Sequence, residues 1–408
     1  MMLKVLVVNC GSSTIKYKIY DAEGKELQEL ASGLLDKVEA EESTLIHRRG
    51  GEVFKLKLKA RSHREGLRAI LEILTSEEHG VIRDLSEVYA VGHRVVHGGD
   101  SFFESTLITK EVLEVIREWS EMAPLHNPAN IAGIEAAMSL MPETSQVAVF
   151  DTAFHQTMPV EAYLYAIPYD LYERYKIRRY GFHGTSHRYV ARKAAEILGV
   201  NLSSLKMVTC HLGAGCSITA VKEGKSIDTS MGFTPLEGLV MATRSGDIDP
   251  SIIFFLARKR NMSLGDIENL LNRESGLKGL SGVSGDVRDL RREMEKGNKK
   301  AEIALRVFAY RVKKYIGAYM AAMGGLDAIV FTAGIGENDW RMRKSICEGL
   351  EALGVEIDEE KNRAESREPR IISRDSSRVK VLVIPTDEEL AIALETLSVL
   401  RSLKGEGK

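Results

Sequence analysis

The sequence predicts an α/β protein made of two similar halves, and three observations support this. Short apolar runs rich in β-branched residues alternate with helical stretches along the whole chain, the pattern of alternating strands and helices. The chain also repeats itself. Val5-Leu6-Val7-Val8-Asn9-Cys10-Gly11-Ser12-Ser13-Thr14-Ile15-Lys16-Tyr17 is an apolar strand, a small-residue turn and an outgoing strand. Leu205 to Val221 has the same plan around Gly213-Ala214-Gly215, and Lys222-Glu223-Gly224-Lys225 then echoes Glu23-Gly24-Lys25. Finally, 408 residues exceed one ordinary core, so two or three domains are expected. Repetition at half the chain length predicts two halves facing each other across a cleft, with the ligand between them.

Composition narrows the class. The apolar fraction of 44% and charged fraction of 28% are those of a soluble globular protein. A net charge of −2 gives no electrostatic case for nucleic acid or an acidic membrane. No apolar run approaches the ~20 residues that span a bilayer. Met-Met-Leu-Lys leads straight into a strand, without the layout of a signal peptide. Cys10, Cys210, Cys216 and Cys347 lack a CxxC spacing. They read as free thiols in a reducing cytoplasm, with no zinc site.

The elements follow in order. Residues 43–60 alternate apolar and charged, as an antiparallel strand pair does. Helices are expected near 64–77 and 110–122, around a strand at Val88–Val91. His126-Asn127-Pro128-Ala129-Asn130 leads an Ala- and Met-rich helix that ends at Pro142, and the buried strand Val147–Phe150 ends at Asp151. A helix over Tyr189–Leu198 is stopped by Gly199. Past the second hairpin, helices near 249–260, 263–272, 286–296 and 299–323 surround glycine turns. Asp327–Phe331 and Lys380–Ile384 are strands. Thr386-Asp387-Glu388-Glu389 reads as a capping box for the final helix. The expected domains are 1–150, completed by a C-terminal helix at 388–408, and 151–387.

Ligands in open α/β sheets bind at the carboxyl ends of the strands. Asn9, Arg94, Asp151, His211, the Thr332–Asn338 turn and the Pro385–Glu389 turn stand there, an inventory suited to metal and phosphate. Arg94, in Gly92-His93-Arg94-Val95-Val96-His97-Gly98-Gly99, needs an anionic partner in so apolar a setting. A structural salt bridge is the competing reading. His183 stands between glycines ahead of a helix start, where the ring is exposed and helix N–H groups lie near an anion. Arg244, in Thr243-Arg244-Ser245-Gly246-Asp247, is placed on a loop and suits charge that develops in a transition state. A solvated surface arginine is its alternative. In Ala333-Gly334-Ile335-Gly336-Glu337-Asn338, Glu and Asn replace the last glycine of a dinucleotide fingerprint, so a nucleotide phosphate or ribose contact fits better. The sequence has neither GxxxxGK[ST] nor an HRD/DFG set, which excludes a P-loop and a protein kinase.

Together these motifs resemble the acetate kinase family over essentially the whole chain. The matching segments are NCGSSTIKY, GHRVVHGG, PLHNPAN, VFDTAFHQTMP, RRYGFHGTSH, CHLGAGCS, DTSMGFTPLEGL, TRSGDIDP, TAGIGEN and PTDEE. That family belongs to the acetate/sugar kinase, heat-shock protein and actin superfamily. The resemblance implies a two-lobed, duplicated actin-like (ribonuclease H-like) fold with the active-site cleft between the lobes. It also implies reversible, direct in-line phosphoryl transfer between ATP and acetate, giving acetyl phosphate and ADP, in a cytoplasmic homodimer. By the same resemblance Asn9 and Glu388 help hold Mg²⁺ (Mn²⁺ being an alternative), and Ser12, Thr14 and Lys16 line the phosphate side. Arg94 would bind the acyl carboxylate, with Val96, Leu125, Phe182 and Pro235 as its apolar pocket. Asp151 would be the catalytic acidic residue, with His183 and Arg244 stabilising the transferring phosphoryl group. Nucleotide would lie on His211, Leu212, Gly213, Ala214 and Gly215, on Asp286, Val287 and Arg288, and on Gly334, Ile335, Gly336, Glu337 and Asn338. One departure is Ala214, where the family usually has Asn. Backbone N–H groups of Gly213 and Gly215 are expected to reach the phosphates regardless.

The chemistry suits these residue types. A carboxylic acid with a pKa near ~4–5 is already ionised at neutral pH. It needs no strong base to attack a γ-phosphate; the obstacle is repulsion between two anions. Two arginines, a histidine, a lysine and Mg²⁺ answer that obstacle, and one such arginine is worth roughly 10³–10⁵ in rate. Asp151 is then a metal-water or positioning partner rather than an obligatory base. The rival within the fold is a propionate or butyrate kinase, against which Val96 beside Phe182 argues for a small acyl chain. A rival of another class, an actin- or chaperone-like ATPase, would need no Arg94 pocket.

Overall fold

The computed structural model describes residues 3–23, 26–124 and 126–405. Gly24 and Lys25 of the repeated turn, and Leu125, lie outside them. The chain divides into two compact units, Met1–Phe154 with Asp387–Lys408, and His155–Thr386.

The first unit is built on an eight-stranded sheet. Its strands are β1 (Lys4–Cys10), β2 (Thr14–Asp21), β3 (Gln28–Asp36), β4 (Ser43–Arg49), β5 (Glu52–Leu58), β6 (Val88–Val95), β7 (Thr106–Leu107) and β8 (Ser145–Phe150). Their order is β5-β4-β3-β2-β1-β6-β8-β7. β1 reads as unbroken apolar sequence because helices cover both of its faces. On one face Leu6 and Val8 pack with Leu67 and Ile70 of the His63–Thr75 helix and Ala136 and Ala137 of the Asn127–Leu140 helix. On the other, Val5 and Val7 pack with Ile392, Leu397 and Leu400 of the Glu388–Leu403 helix. Gly92 permits that second contact, since a Cβ there would lie 2.3 Å from Thr396 Oγ1 and 2.8 Å from Ile392 Cγ2.

The second unit has a six-stranded sheet of β9 (Lys206–Leu212), β10 (Cys216–Lys222), β11 (Lys225–Thr229), β12 (Ala328–Thr332), β13 (Arg370–Ile371) and β14 (Lys380–Val383), in the order β11-β10-β9-β12-β14-β13. Within each sheet a three-stranded antiparallel meander is joined to two parallel strands: β3-β2-β1-β6-β8 in the first unit, β11-β10-β9-β12-β14 in the second. The repeated hairpin is thus the edge of a repeated topology.

Several elements differ from the sequence reading. β3 (Gln-Glu-Leu-Ala-Ser-Gly-Leu-Leu-Asp) carries no β-branched or aromatic residue, so propensity does not reveal it; its place is set by pairing with β2 and β4. The helix expected from Tyr189 starts at Gly184, and the one expected over 263–272 runs over Leu264–Asn269 and widens into a π-type turn at Leu270–Glu274. The last helix is not opened by a capping box on Thr386. Its N-cap is Asp387, whose carboxylate accepts from Leu390 N–H at 2.9 Å, because the Thr386 hydroxyl is engaged with Ser186 Oγ at 2.9 Å. Among the described residues no helix is long and apolar enough to cross a membrane.

Candidate functional site

The first unit gathers Asn9, Lys16, Arg94, Asp151 and Glu388. Asn9 pairs with Lys16 across the β1–β2 hairpin. Arg94 lies two residues beyond Gly92, so it emerges on the face of β6 covered by the C-terminal helix. Glu388, in that helix's first turn, reaches to 4.0 Å from Arg94 Nε. Asp151 directly follows β8, tied by its N–H to Val95 O at 2.9 Å. Arg94 donates to both Asp151 oxygens, from Nε at 3.2 Å and Nη2 at 2.6 Å. The competing reading, a salt bridge, is therefore realised, yet Nη1 makes no hydrogen bond among the described residues and the side chain keeps 23% exposure. Burial acts to lower the Arg94 pKa, but Asp151 and Glu388 outweigh it and the group stays a cation. Burial pushes the Glu388 carboxyl up, with Asp151 adding to it against the pull of Arg94.

Two asparagines fix these strand ends. Asn130 accepts from Val96 N–H at 3.1 Å and donates to Cys10 O at 2.8 Å. Asn127 brackets His97 through both its backbone N–H and C=O. In the β1–β2 turn, Gly11 N–H donates to Thr14 O at 2.8 Å, while the amides of Ser12 and Ser13 find no acceptor among the described residues. Ser12 and Lys16 are exposed, Thr14 is half-buried and Val96 is buried. Leu125, expected beside Val96, lies outside the described residues.

The second unit gathers His183, His211, Arg244 and the Gly213–Gly215 turn. His183 caps the Gly184–Leu198 helix in a left-handed conformation, φ 58°, ψ 23°, uncommon for a residue with a side chain. Its ring stacks on that of His211 at 4.2 Å. A Cβ at Gly215 would lie 3.5 Å from His183 Nε2 and 3.6 Å from Arg244 Nη1, so both side chains border that glycine. Burial pulls the Arg244 pKa down, and among the described residues Nη1 finds only Pro235 O at 3.5 Å and Met241 Sδ at 3.8 Å. Among the described residues no carboxylate pairs with it. The expectation for Gly213 is corrected here: its N–H closes the turn onto Gly215 O at 3.1 Å, so it is spent. The amides of Ala214 and Gly215 are the ones left without an acceptor among the described residues. This repeats the Ser12–Ser13 arrangement.

The irregular segment carrying Pro235 and Arg244 is held by two acids from the same motifs. Glu237 accepts from Arg179 Nη2 at 2.6 Å and from the Tyr165 hydroxyl. Asp247 accepts from Gly238 N–H at 2.8 Å and Tyr315 Oη at 2.7 Å. At the third glycine turn, Ala333 (φ 62°) swings β12 directly into the short helix Ala333–Asn338. Glu337 there accepts from Thr386 N–H at 3.0 Å and Asn338 donates to Gly334 O at 2.9 Å. Gly336 and Glu337 carbonyls accept from the buried Arg343 at 2.9 and 2.8 Å. Asp286 caps the Val287–Glu295 helix and pairs with Arg288 at 2.6 Å. Leu212, Val287 and Phe182 are buried, Ile335 is half-buried and Gly334 has open space around it.

A model of the acetokinase family matches residues 4–394. The chain belongs to the acetokinase family. It is 56% identical to the acetate kinase of Thermoanaerobacterium thermosaccharolyticum, covering 98% of this chain and all of that one. It is 55% identical to the acetate kinase of Thermotoga maritima over the same shares. Among solved structures it resembles the acetate kinase of Porphyromonas gingivalis, with a TM-score of 0.93, 45% identity and coverage of 97% and 99% of the two chains. It also resembles a propionate kinase from Francisella tularensis, with a TM-score of 0.90, 43% identity and the same coverage.

Sequence reasoning singled out His211 but not the polar residues around it. Ser217 and His211 face each other in the β9–β10 register, as do Thr209 and Thr219. Those four residues make one face of the two strands polar, under the helix that carries Ser186 and His187. The available signal was period-two placement of polar residues, Thr209 with His211 and Ser217 with Thr219, inside strands read as apolar.

Proposed function

We propose that the protein is an ATP-dependent acetate kinase, transferring the γ-phosphoryl group of ATP directly to acetate in a reversible reaction. The observation that carries this reading is Arg244. It is a largely desolvated cation with no carboxylate partner among the described residues, set with His183 beside a turn whose Ala214 and Gly215 amides find no acceptor among them. Such a group is poised for anionic charge rather than for structure. In the first unit, Arg94 keeps N–H groups for a substrate carboxylate while Asp151 fixes its orientation. Asp151 is a poor general base in that role, because its oxygens already accept from a guanidinium, and ionised acetate needs no base. In that unit Val96, buried just past Arg94, is the apolar residue offered to the acyl chain.

Mg²⁺ fits the residues present. Among the described residues no group of three or more His, Cys, Asp or Glu side chains could hold a metal, and Mg²⁺ typically takes one or two protein ligands plus phosphate oxygens. The Glu388 carboxylate receives no hydrogen bond among the described residues, although burial disfavours its charge, so a cation shared with Asn9 would satisfy it. When bound, the ion would neutralise charge on the β- and γ-phosphates.

The reading includes a cytoplasmic homodimer. Cys10, Cys210, Cys216 and Cys347 are all buried and free, which fits a reducing compartment. The Ser251–Arg260 helix buries none of its residues, and Phe254 and Phe255 are 60% and 57% exposed, a face that suits a second copy. Phe254→Glu should shift the species seen by light scattering toward monomer.

The function is tested by supplying Mg-ATP with acetate, propionate or butyrate and trapping acyl phosphate with hydroxylamine. Acetate should give hydroxamate with the highest kcat/KM. Preference for propionate or butyrate would move the assignment to that kinase, and ATP hydrolysis without hydroxamate would overturn it.

A further inference from the structure

We propose that Ser217 and His187 are positioning residues that hold the His183 ring with its proton on Nε2, the nitrogen beside Gly215 and Arg244. The inference rests on the reading of His183 as a donor to the transferring phosphoryl group. His183 Nδ1 lies 2.8 Å from Ser217 Oγ, and His187 Nε2 lies 2.7 Å from the same oxygen. His187 Nδ1 lies 2.7 Å from Thr209 Oγ1. A hydroxyl has one proton and a neutral imidazole one N–H. Ser217 is buried and its Oγ has no other partner among the described residues. Its proton therefore goes to one ring or the other, and the chain runs in one of two directions.

In the first, Thr209 donates to His187 Nδ1, His187 Nε2–H donates to Ser217, and Ser217 donates to His183 Nδ1. The proton of His183 is then on Nε2. In the second, every bond is reversed and Nε2 presents a lone pair toward the Gly213–Gly215 turn. Phosphate oxygens there would meet that lone pair as acceptor against acceptor, so nucleotide binding selects the first direction. No proton moves along the chain; its direction decides which nitrogen carries one.

The surroundings keep the intermediate ring neutral. His187 is fully buried, and burial, then His155 and His211, hold its pKa well below the ordinary histidine range. The His155 and His211 rings stand 5.8 and 6.2 Å from it. His183 itself meets the stacked His211 ring and, at Gly215, the Arg244 cation. His155 also fixes the backbone beside His183, with Nε2 at 3.1 Å from Phe182 O.

The direct test is the ¹⁵N spectrum of histidine-labelled protein, which separates protonated from bare ring nitrogens, recorded free and with ATP. With ATP bound, His183 should show a protonated Nε2 and a bare Nδ1; the opposite assignment in that complex would overturn the proposal. In kinetics, Ser217→Ala should lower kcat on the order of tenfold with both KM values unchanged. His187→Gln, which can still donate to Ser217, should keep more activity than His187→Leu. Because an imidazolium always carries the Nε2 proton, the Ser217→Ala deficit should shrink as pH falls through the titration of His183. A deficit independent of pH, or equal losses in the two His187 variants, would show a merely structural role. Absence of acetyl phosphate formation by the unaltered protein would instead sink the phosphoryl-transfer reading, while the spectrum still decides the tautomer.

Discussion

At Ala214 the side chain is exposed and the carbonyl is already engaged, accepting from Ala242 N–H at 3.0 Å. A larger side chain can therefore be added without displacing a bond. Ala214→Asn would restore the side-chain amide usual in the family. A hydrogen bond to a charged oxygen is worth roughly 1.5–3 kcal/mol, and water in the vacant space recovers much of that. The expected gain is on the order of tenfold in the KM for ATP or in kcat, with the acetate KM unchanged. No gain would mean that the unspent Ala214 and Gly215 amides suffice. Arg94, Asp151, His183 and Arg244 could be picked out in the sequence as candidates, because charge or imidazole set among glycines and β-branched residues stands out from its surroundings. Ser217, His187 and Thr209 were not, since a hydroxyl inside a strand is indistinguishable from filler until its cross-strand neighbour is known. The Gly213 amide was misjudged for a related reason: which N–H closes a turn depends on turn geometry, not composition.

At the scale of elements, the Ala333–Asn338 helix depends on Arg343, which is 1% exposed. Its guanidinium spans the carbonyls of Gly336 and Glu337 on one side and Asn362 Oδ1 and O on the other, at 2.7–2.9 Å. Burial pulls its pKa down to about 10, so it still enters the fold as a cation. Arg343→Met should lower Tm and raise the KM for ATP while leaving that for acetate unchanged. Each buried acceptor left without a donor costs about 1–3 kcal/mol. An unchanged ATP KM in a folded variant would separate this helix from nucleotide binding. The long helix over Lys299–Met323 was readable to the residue, bounded by an Asn298 cap and Gly324. The Gly184 helix start and the Asp387 cap were not, because each depends on a backbone conformation or on a partner distant in sequence.

For the whole molecule, acid should be the weak side of stability. Burial pulls His93 down to about 4, against its 2.8 Å bond to Gln146, and pulls His97 down to about 3. Both are neutral in the folded protein, while the unfolded chain binds their protons below ~6.5. The stability they contribute is thus intact above that pH and is lost as pH falls toward their folded values, by on the order of 3 kcal/mol for His93 at pH 4. His93→Gln should flatten the fall in Tm between pH 7 and 4.5; an unaltered slope would place the acid sensitivity elsewhere. The duplication was legible from one repeated hairpin, and the shared meander-plus-parallel topology extends it to five strands in each unit. The irregular segment at 231–250 gave no periodic signal, because its shape rests on Arg179–Glu237 and Asp247–Tyr315 contacts between residues far apart in sequence.

In the proposed function the first unit recognises the acyl carboxylate through Arg94, while the second stabilises the transferring phosphoryl group through Arg244. Steady-state kinetics of Arg94→Ala and Arg244→Ala, with acetate and ATP each varied, test that division most directly. Arg94→Ala should raise the acetate KM and cut kcat/KM by at least the roughly 1.5–3 kcal/mol of a charged hydrogen bond, with the ATP KM nearly intact. Arg244→Ala should lose kcat with little change in either KM. Unchanged acetate kinetics in Arg94→Ala, or a raised KM at constant kcat in Arg244→Ala, would contradict these roles.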